Sequence, residues 1–409
     1  MDEDEELVEL GGPRFPRWVR LGGLLVVAVA VLALIVVRAW PGQGATPLVT
    51  VSPSPPAQVV GAWPTAPGSC GARHELAIVS STPRKEKTGL TMLMGGDRLR
   101  AVDFDDNSVT VIDGLRPGEF GDVRTGSTGP LVTTSTCRPG GSRILHVGSG
   151  RKAGVAGSLG SLEVLLTGGD GAWVVLSPPD PDQGAGFVRR LDADHWTRLP
   201  VGFSPYAASD DQMVGFLEPS QSGPSSRLVL VSATTGRQLA DLGQDAQPVA
   251  TGAGEVLWTT GCNPSSASPC DLHRRRLATG STATYRLPHP ACCGGPGVVS
   301  PDGREVAFLL ERAAVDSRYE GHPMRPSNLA VLQLASGRLE IVPGIELPPK
   351  SSPGLAFSAD GRWLAIALDA GPRIRLLAWR SGVQHPYEAK PIRGQVLWAA
   401  TVATVANGW

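Results

Sequence analysis

One pattern occurs twice near the end of the chain: Gly297-Val-Val-Ser-Pro-Asp-Gly-Arg-Glu-Val-Ala-Phe-Leu-Leu310 and Gly354-Leu-Ala-Phe-Ser-Ala-Asp-Gly-Arg-Trp-Leu-Ala-Ile-Ala367. In both copies a Ser-x-Asp-Gly-Arg turn joins two short apolar runs, and this arrangement predicts a β-hairpin. The structural turn residues are Asp302, Gly303, Asp360 and Gly361. A hairpin that recurs along a chain predicts a repeat architecture, because each repeat needs a neighbour to cover its apolar face.

Four further hairpins give the repeat its period. Their turn glycines are Gly236, Gly280, Gly337 and Gly382, which are 44, 57 and 45 residues apart, and the long interval contains an extra loop from Ala313 to Ser327. A period near 45 residues is typical of four-stranded propeller blades. We therefore predict an all-β propeller of about seven blades, with six to eight allowed. The last apolar run, Gln395–Val405, is expected to pair with the first blade and close the ring.

The two Ser-x-Asp-Gly-Arg turns resemble the hairpin signature of the TolB-like and WD40-like propeller repeats. No Trp-Asp dipeptide ends the blades, so the eukaryotic form of the repeat is not matched, and we expect a bacterial, membrane-anchored protein of this kind. The likeness implies a fold that usually offers a protein-interaction surface, and it implies no particular activity.

The composition agrees with many short strands. Gly (51) and Pro (36) are abundant, and the formal net charge of −1 provides no bulk attraction to nucleic acid or to an anionic surface. We therefore expect no nucleic-acid partner.

The N-terminal part predicts a membrane anchor. Residues 21–37 carry no charged side chain, Arg38 ends the predicted transmembrane helix 21–38, and Arg14, Arg17 and Arg20 precede it. This length spans a hydrocarbon core, and the excess of arginine on one side places residues 1–20 in the cytoplasm. The alternative is a cleaved signal peptide, which has a shorter apolar region and a small-residue cleavage site. Residues 39–69 are rich in Pro and Ser, and this composition predicts an extended linker. Residues 70–409 are expected to form the extracytoplasmic propeller, tethered at the cell membrane.

The cysteines indicate an oxidising compartment. All six follow the anchor, and an even number outside the cytoplasm favours disulfides. The candidates are Cys70, Cys137, Cys262, Cys270, Cys292 and Cys293. The first choice is a Cys262–Cys270 bridge across a turn-rich loop, and the second is Cys70 with Cys137. The adjacent pair Cys292-Cys293 is left open, since either residue can instead reach Cys262 or Cys270.

No recognised catalytic, nucleotide-binding or calcium motif occurs in the chain, so we predict no cofactor, no metal and no catalytic residue. Three acidic groups could bind a cation or act as acid and base: Asp103, Asp105 and Asp106; Asp180 and Asp182; Asp192 and Asp194 with His195. Each lies among turn residues, where Asp is favoured for hydrogen bonds to the local backbone. The run Arg274-Arg275-Arg276 is interpreted as a solvated edge strand rather than a nucleic-acid patch.

Two functions are consistent with these features. The leading hypothesis is a membrane-tethered, non-enzymatic propeller that binds a protein or a cell-envelope component through loops at one end of the ring. The alternative is an extracytoplasmic hydrolase or lyase acting on glycans or peptides, with Asp103, Asp192 and His195 in the central channel. Convergence of these three side chains would favour the enzyme.

Overall fold

A computed structural model describes the residues from 74 onward with gaps. The described ranges are 74–75, 87–106, 108–125, 129–136, 142–148, 152–160, 163–168, 171–178, 184–218, 226–262, 270–288, 291–312, 327–347, 353–369, 374–388, 395–396 and 402–405. The predicted membrane segment and linker lie outside these ranges. Within them, no helix has the length and apolarity needed to cross a bilayer.

Seven antiparallel sheets of four strands each form the molecule, and an eighth small sheet has two strands. The first strands of neighbouring four-stranded sheets contact one another, so these strands surround the axis and the sheets radiate as blades. The predicted all-β propeller of about seven blades is confirmed.

The strands are grouped here by their position in the blade, from blade 1 to blade 7. The innermost strands are β30 (Val402–Val405), β5 (Glu119–Arg124), β9 (Glu163–Gly168), β13 (Phe203–Ser209), β17 (Gln247–Gly252), β21 (Ala291–Val299) and β25 (Gly354–Phe357). The second strands are β2 (Thr91–Met94), β6 (Leu131–Thr136), β10 (Gly171–Leu176), β14 (Gln212–Leu217), β18 (Glu255–Thr260), β22 (Glu305–Arg312) and β26 (Leu364–Asp369).

The third and outer strands complete each blade. The third strands are β3 (Leu99–Asp103), β7 (Ser142–Val147), β11 (Ala185–Arg190), β15 (Arg227–Ser232), β19 (Asp271–Arg276), β23 (Ser327–Gln333) and β27 (Ile374–Trp379). The outer strands are β4 (Val109–Ile112), β8 (Ala153–Leu159), β12 (Thr197–Val201), β16 (Gln238–Gln244), β20 (Thr282–Arg286), β24 (Leu339–Leu347) and β28 (Tyr387–Glu388). The two-stranded sheet pairs β1 (His74–Glu75) with β29 (Gln395–Val396).

The ring is closed by the end of the chain. Strand β30 pairs antiparallel with β2, so blade 1 takes its innermost strand from the C-terminus and its other three strands from residues 91–112. The run expected from the sequence to close the ring therefore does so, although it contributes two short strands, β29 and β30, rather than one. This pairing covers the edge of β2 that faces the axis.

Apolar side chains between the blades form the core. The cluster between blades 5 and 6 contains Leu257 and Leu272 on one side and Phe308 and Leu310 on the other. Each blade contributes to clusters on both of its faces, which explains why the strands show runs of apolar residues instead of strict alternation.

The glycine of each late hairpin lies in the turn between the third and outer strands. Gly236, Gly337 and Gly382 have φ values of 67°, 72° and 82°, a left-handed conformation that glycine adopts without steric cost. These turns also contact the preceding blade. The backbone nitrogen of Gly382 donates to Glu340 of blade 6, and the Tyr285 hydroxyl of blade 5 donates to the Leu334 carbonyl of blade 6.

The interpretation of Arg274–Arg276 as an edge strand is wrong. These residues end β19, the third strand of blade 5, and β20 covers its outer side. Glu255 of β18 is buried and accepts hydrogen bonds from Arg274 Nε at 2.9 Å and Arg274 Nη2 at 2.5 Å, with Arg276 Nε at 3.4 Å. A basic run belongs inside this sheet because a buried carboxylate on the neighbouring strand neutralises two of its side chains.

Candidate interaction surface

The two ends of the ring carry different connections. At one end of the ring, second strands connect to third strands and outer strands connect to the next blade; we call this end the loop face. We name the turn face the opposite end, where innermost strands connect to second strands and third strands connect to outer strands. On the turn face these connections have two to seven residues. On the loop face four of the connections between second and third strands are longer, and they comprise residues 177–184, 218–226, 261–270 and 313–326.

The repeated Ser-x-Asp-Gly-Arg turns lie on the turn face, in blades 6 and 7. Asp302 accepts hydrogen bonds from the Ser300 hydroxyl at 2.7 Å and the Arg304 backbone nitrogen at 3.1 Å. Asp360 accepts from the Ser358 hydroxyl at 2.6 Å and from the Arg362 nitrogen at 3.1 Å. In both turns the aspartate holds the local backbone.

These turns also pack against each other around the axis. Gly303 and Gly361 have φ values of 66° and 71°. A Cβ atom on Gly361 would lie 3.4 Å from the Asp302 carboxylate, and one on Gly303 would lie 3.7 Å from the Ala253 side chain of blade 5. The sequence places Asp302 and Gly361 in separate repeats, and the structure brings them together. Their carboxylates and glycines serve the packing of the turn face.

The first acidic group of the enzymatic alternative forms a turn in blade 1. Asp103 accepts hydrogen bonds from the backbone nitrogens of Asp105 and Asp106, at 2.7 and 3.2 Å. Asp105 in turn accepts from Thr88 and Gly89, which precede β2. This group therefore ties the turn between β3 and β4 to the start of β2.

The third acidic group lies in blade 3. Asp192, Asp194 and His195 are exposed in the turn between β11 and β12, at the outer part of the blade. The hydrogen bond from Arg190 holds the pKa of Asp192 below its ordinary value. Blade 2 lies between Asp103, in blade 1, and the pair Asp192 and His195, in blade 3. The three side chains therefore do not converge. Asp180 and Asp182 lie outside the described residues.

The innermost strands carry few groups capable of acid–base chemistry. Among their described residues the carboxylates are Glu119, Asp122 and Glu163, all in blades 2 and 3, and no histidine is present. The described part of the chain contains no cluster of three or more His, Cys, Asp or Glu side chains that could hold a metal ion.

Glu119 is committed to an ion pair. Its carboxylate accepts from Arg143 Nε at 2.9 Å and from the Arg116 backbone nitrogen at 2.7 Å, and Arg143 also donates to the Gly114 carbonyl at 3.0 Å. Both side chains are largely buried. These bonds fasten the connection from blade 1 to blade 2 onto the loop face, so the pair acts as a structural support.

This pair predicts acid sensitivity. The hydrogen bond from Arg143 holds the pKa of Glu119 below its ordinary value of 4.5, against the opposing effect of burial. Its contribution to stability is therefore present above the pKa of the unfolded chain and is lost as the pH falls through the lower pKa of the folded state. We expect Glu119→Gln to lower the denaturant midpoint at about pH 7 and to reduce the further loss at about pH 4. An equal drop in both proteins on acidification would contradict this role.

Blade 5 carries a covalent brace on the loop face. Cys262 and Cys270 form a disulfide across the connection between β18 and β19, with their Cα atoms 4.8 Å apart. This is the first pairing expected from the sequence. Cys292 and Cys293 lie in β21, but the structure does not describe their side chains. Cys70 and Cys137 lie outside the described residues.

The disulfide is expected to stabilise the domain, because it limits the freedom of the unfolded chain. Replacing both cysteines, as Cys262→Ser with Cys270→Ser, should lower the free energy of unfolding by about 2 kcal/mol. Urea unfolding of the oxidised proteins measures this change, and a reductant should destabilise the parent more than the double variant. An unchanged midpoint in the variant would show that the brace carries no stability.

A polar cluster next to this brace was not predicted from the sequence. His273 contacts the Thr260 hydroxyl at 2.7 Å and the Thr284 hydroxyl at 3.0 Å, and its ring stacks on Trp258 at 5.3 Å between centroids. These residues lie on β18, β19 and β20. Their meeting depends on the register, which pairs His273 with both Trp258 and Thr284. The cluster holds the outer strands of blade 5 beside the loop that the disulfide closes.

The chain has distant likenesses among solved structures. No protein-family model and no curated protein matches its sequence. Apo AztD from Citrobacter koseri is 8% identical, with a TM-score of 0.43 over 78% of this chain and 98% of that one. TolB from Acinetobacter baumannii is 13% identical, with a TM-score of 0.39 over 75% and 78%. An oligogalacturonate lyase from Vibrio parahaemolyticus is 9% identical, with a TM-score of 0.45 over 74% and 90%. At these values none of the three says what this chain binds or catalyses.

Proposed function

We propose that the protein is a membrane-tethered, extracytoplasmic, non-enzymatic binding module that holds a protein or a cell-envelope component on its loop face. The observation that carries this proposal is the difference between the two ends of the ring. The turn face consists of short connections that pack on one another, whereas the loop face carries the long connections and the Cys262–Cys270 brace. Binding sites occur preferentially on variable loops that a rigid scaffold positions.

Further observations support a binding role. Asp103 and Asp192, the acidic residues of the enzymatic alternative, lie at turns of separate blades, and Glu119 is committed to Arg143. The apolar stretch 21–38 and the linker that follows it support tethering to the outer side of a membrane. The disulfide agrees with an oxidising compartment.

Site-specific photo-crosslinking in cells tests the proposal. A photoreactive amino acid at Gln247 or Arg286, both exposed on the loop face, should capture a discrete product. The matched control positions are Thr235 and Ser336, exposed in third-to-outer turns on the turn face. Fractionation and protease access from outside the cell test the tether.

The outcomes separate the hypotheses. Capture from the loop-face positions alone supports the proposal. Equal capture from both faces, or a full-length protein that captures nothing but turns over a panel of glycans or peptides, overturns it.

A further inference from the structure

The outer strand of blade 2 differs from the other outer strands because it lacks the features that keep an exposed strand from pairing with another chain. Strand β8 spans Ala153–Leu159 and contains no charged side chain and no proline. Of the other described outer strands, β4 and β28 are short, and each of the rest carries a charged residue: Arg198 with Pro200, Asp241, Arg286, and Glu340 and Glu346 with Pro343. Proteins protect sheet edges with charges, prolines or short strands, because an open edge pairs with other chains.

The backbone of β8 is accessible. Gly154, Val155, Ala156 and Ser158 are exposed, with Val155 67% exposed, and their small side chains cover little of the backbone. A bulge interrupts the pairing with β7 after Val155 and leaves Gly157–Leu159 in regular register.

One residue of the chain already occupies the position beyond this edge. Asp113 forms an isolated parallel bridge with Lys152, and its carbonyl accepts a 2.6 Å hydrogen bond from the Ala153 nitrogen. A fifth backbone therefore fits beside the first residue of β8. The described residues place no further backbone partner along this edge.

Blade 3 provides a wall beside the edge. Leu191 packs with Ile144 and Leu159 of blade 2 and lies 3.2 Å from where a Cβ on Gly157 would be, so this side of blade 3 faces blade 2. Phe187 lies on the same side of blade 3, because it pairs with Leu176, two residues from Val174 of the same cluster.

Two exposed aromatic rings belong to this wall. Phe187 and Trp196 are 37% and 38% exposed. Arg189 stacks over the Trp196 ring at 5.0 Å and donates to the Ala193 carbonyl at 3.2 Å, which holds the ring on its turn. Exposed Trp beside Arg is typical of residues that dominate binding at protein interfaces.

Two exposed cations near this edge form no ion pair with a described residue, although the exposed carboxylate of Asp113 lies beside the first of them. Lys152 precedes β8 and is exposed, and Arg198 lies directly across the strand pair from Phe187 and is also exposed. Strand β8 contributes no carboxylate. A ligand that lies along β8 therefore gains from acidic side chains.

We propose that blade 2 binds an extended segment of a partner protein as a fifth strand along β8. Backbone hydrogen bonds to β8 supply affinity, an apolar side chain of the segment contacts Phe187 and Trp196, and acidic side chains pair with Lys152 and Arg198. This rim site is separate from the loop face and does not depend on the proposal made for that face.

The test uses the full-length protein in detergent and a fluorescent probe peptide, Glu-Val-Thr-Phe-Thr-Val-Glu. We expect saturable binding by fluorescence anisotropy and slower hydrogen exchange of the backbone amides at 154–158. The variant Val155→Glu adds a repelling charge to the edge and should weaken binding roughly tenfold or more. The matched control, Leu239→Glu, changes an exposed residue of the outer strand of blade 4 and should leave binding unchanged. A peptide with lysine in place of both glutamates should bind more weakly.

The results either support or overturn the site. Tight binding that survives Val155→Glu, equal loss in Leu239→Glu, or exchange protection elsewhere than β8 would refute it. Self-association that Val155→Glu abolishes would assign the edge to a second copy of this chain and would also overturn the proposal. Thermal melting of each variant confirms that the fold is kept, and Arg198→Glu provides a second variant outside β8 with the same expected loss.

Discussion

Replacing Arg274 with methionine should lower the free energy of unfolding by about 3 to 5 kcal/mol, because it leaves the Glu255 carboxylate buried without its main partner. The side chains of Glu255 and Arg274 are only 4% and 14% exposed, so water cannot replace the lost hydrogen bonds. Arg276, at 3.4 Å and 53% exposed, compensates only in part. Chemical denaturation of the two proteins measures the difference.

A neighbouring residue supplies the control. Arg275 lies between the two paired arginines and points to the opposite face of the strand, so Arg275→Met should change stability by less than about 1 kcal/mol. The double variant Glu255→Met with Arg274→Met removes both charges and should recover much of the loss. If Arg274→Met and Arg275→Met destabilise the protein equally, Glu255 is not held as the structure shows.

Gly236→Ala should destabilise the domain by about 2 to 4 kcal/mol, through backbone strain and a collision with the preceding blade. Gly236 has a φ of 67°, and a Cβ atom there would lie 1.9 Å from the Arg198 carbonyl oxygen of blade 3. Because that oxygen belongs to the backbone of β12, relief requires the two blades to separate. Thermal and urea unfolding measure the effect.

Gly344→Ala separates strain from collision. Gly344 has a φ of 71°, but no atom lies within 4 Å of the position that its Cβ would take. This variant should therefore lose only the conformational part, about 1 to 2 kcal/mol. Equal losses at both glycines would show that the turn of blade 4 does not press on blade 3.

The repeat was predictable because its signals are local. An Asp-Gly pair between apolar runs specifies a hairpin, and the spacing of Gly236, Gly280, Gly337 and Gly382 specifies a blade. The Cys262–Cys270 bridge was accessible for the same reason, since both cysteines flank one turn-rich loop. The turn role of Asp103 likewise follows from its neighbours in the chain.

Features that depend on register were not predictable. Nothing in Arg274-Arg275-Arg276 reveals that Glu255, 19 residues earlier, lies buried on the adjacent strand. The meeting of His273 with Thr260, Thr284 and Trp258 requires three strands to be aligned, and a shift of one residue would turn these side chains to opposite faces.

Short-range chemistry in the sequence was sufficient for the propeller class, for a blade number between six and eight and for the run that closes the ring, because turn residues and a period of about 45 residues act within each repeat. Only the tertiary structure decided which ion pairs are buried, which turns interlock and which outer edge stays open at β8. The buried ion pairs depend on strand register within a blade, and the interlocking turns depend on the packing of whole blades, so both join residues that are separate in the chain.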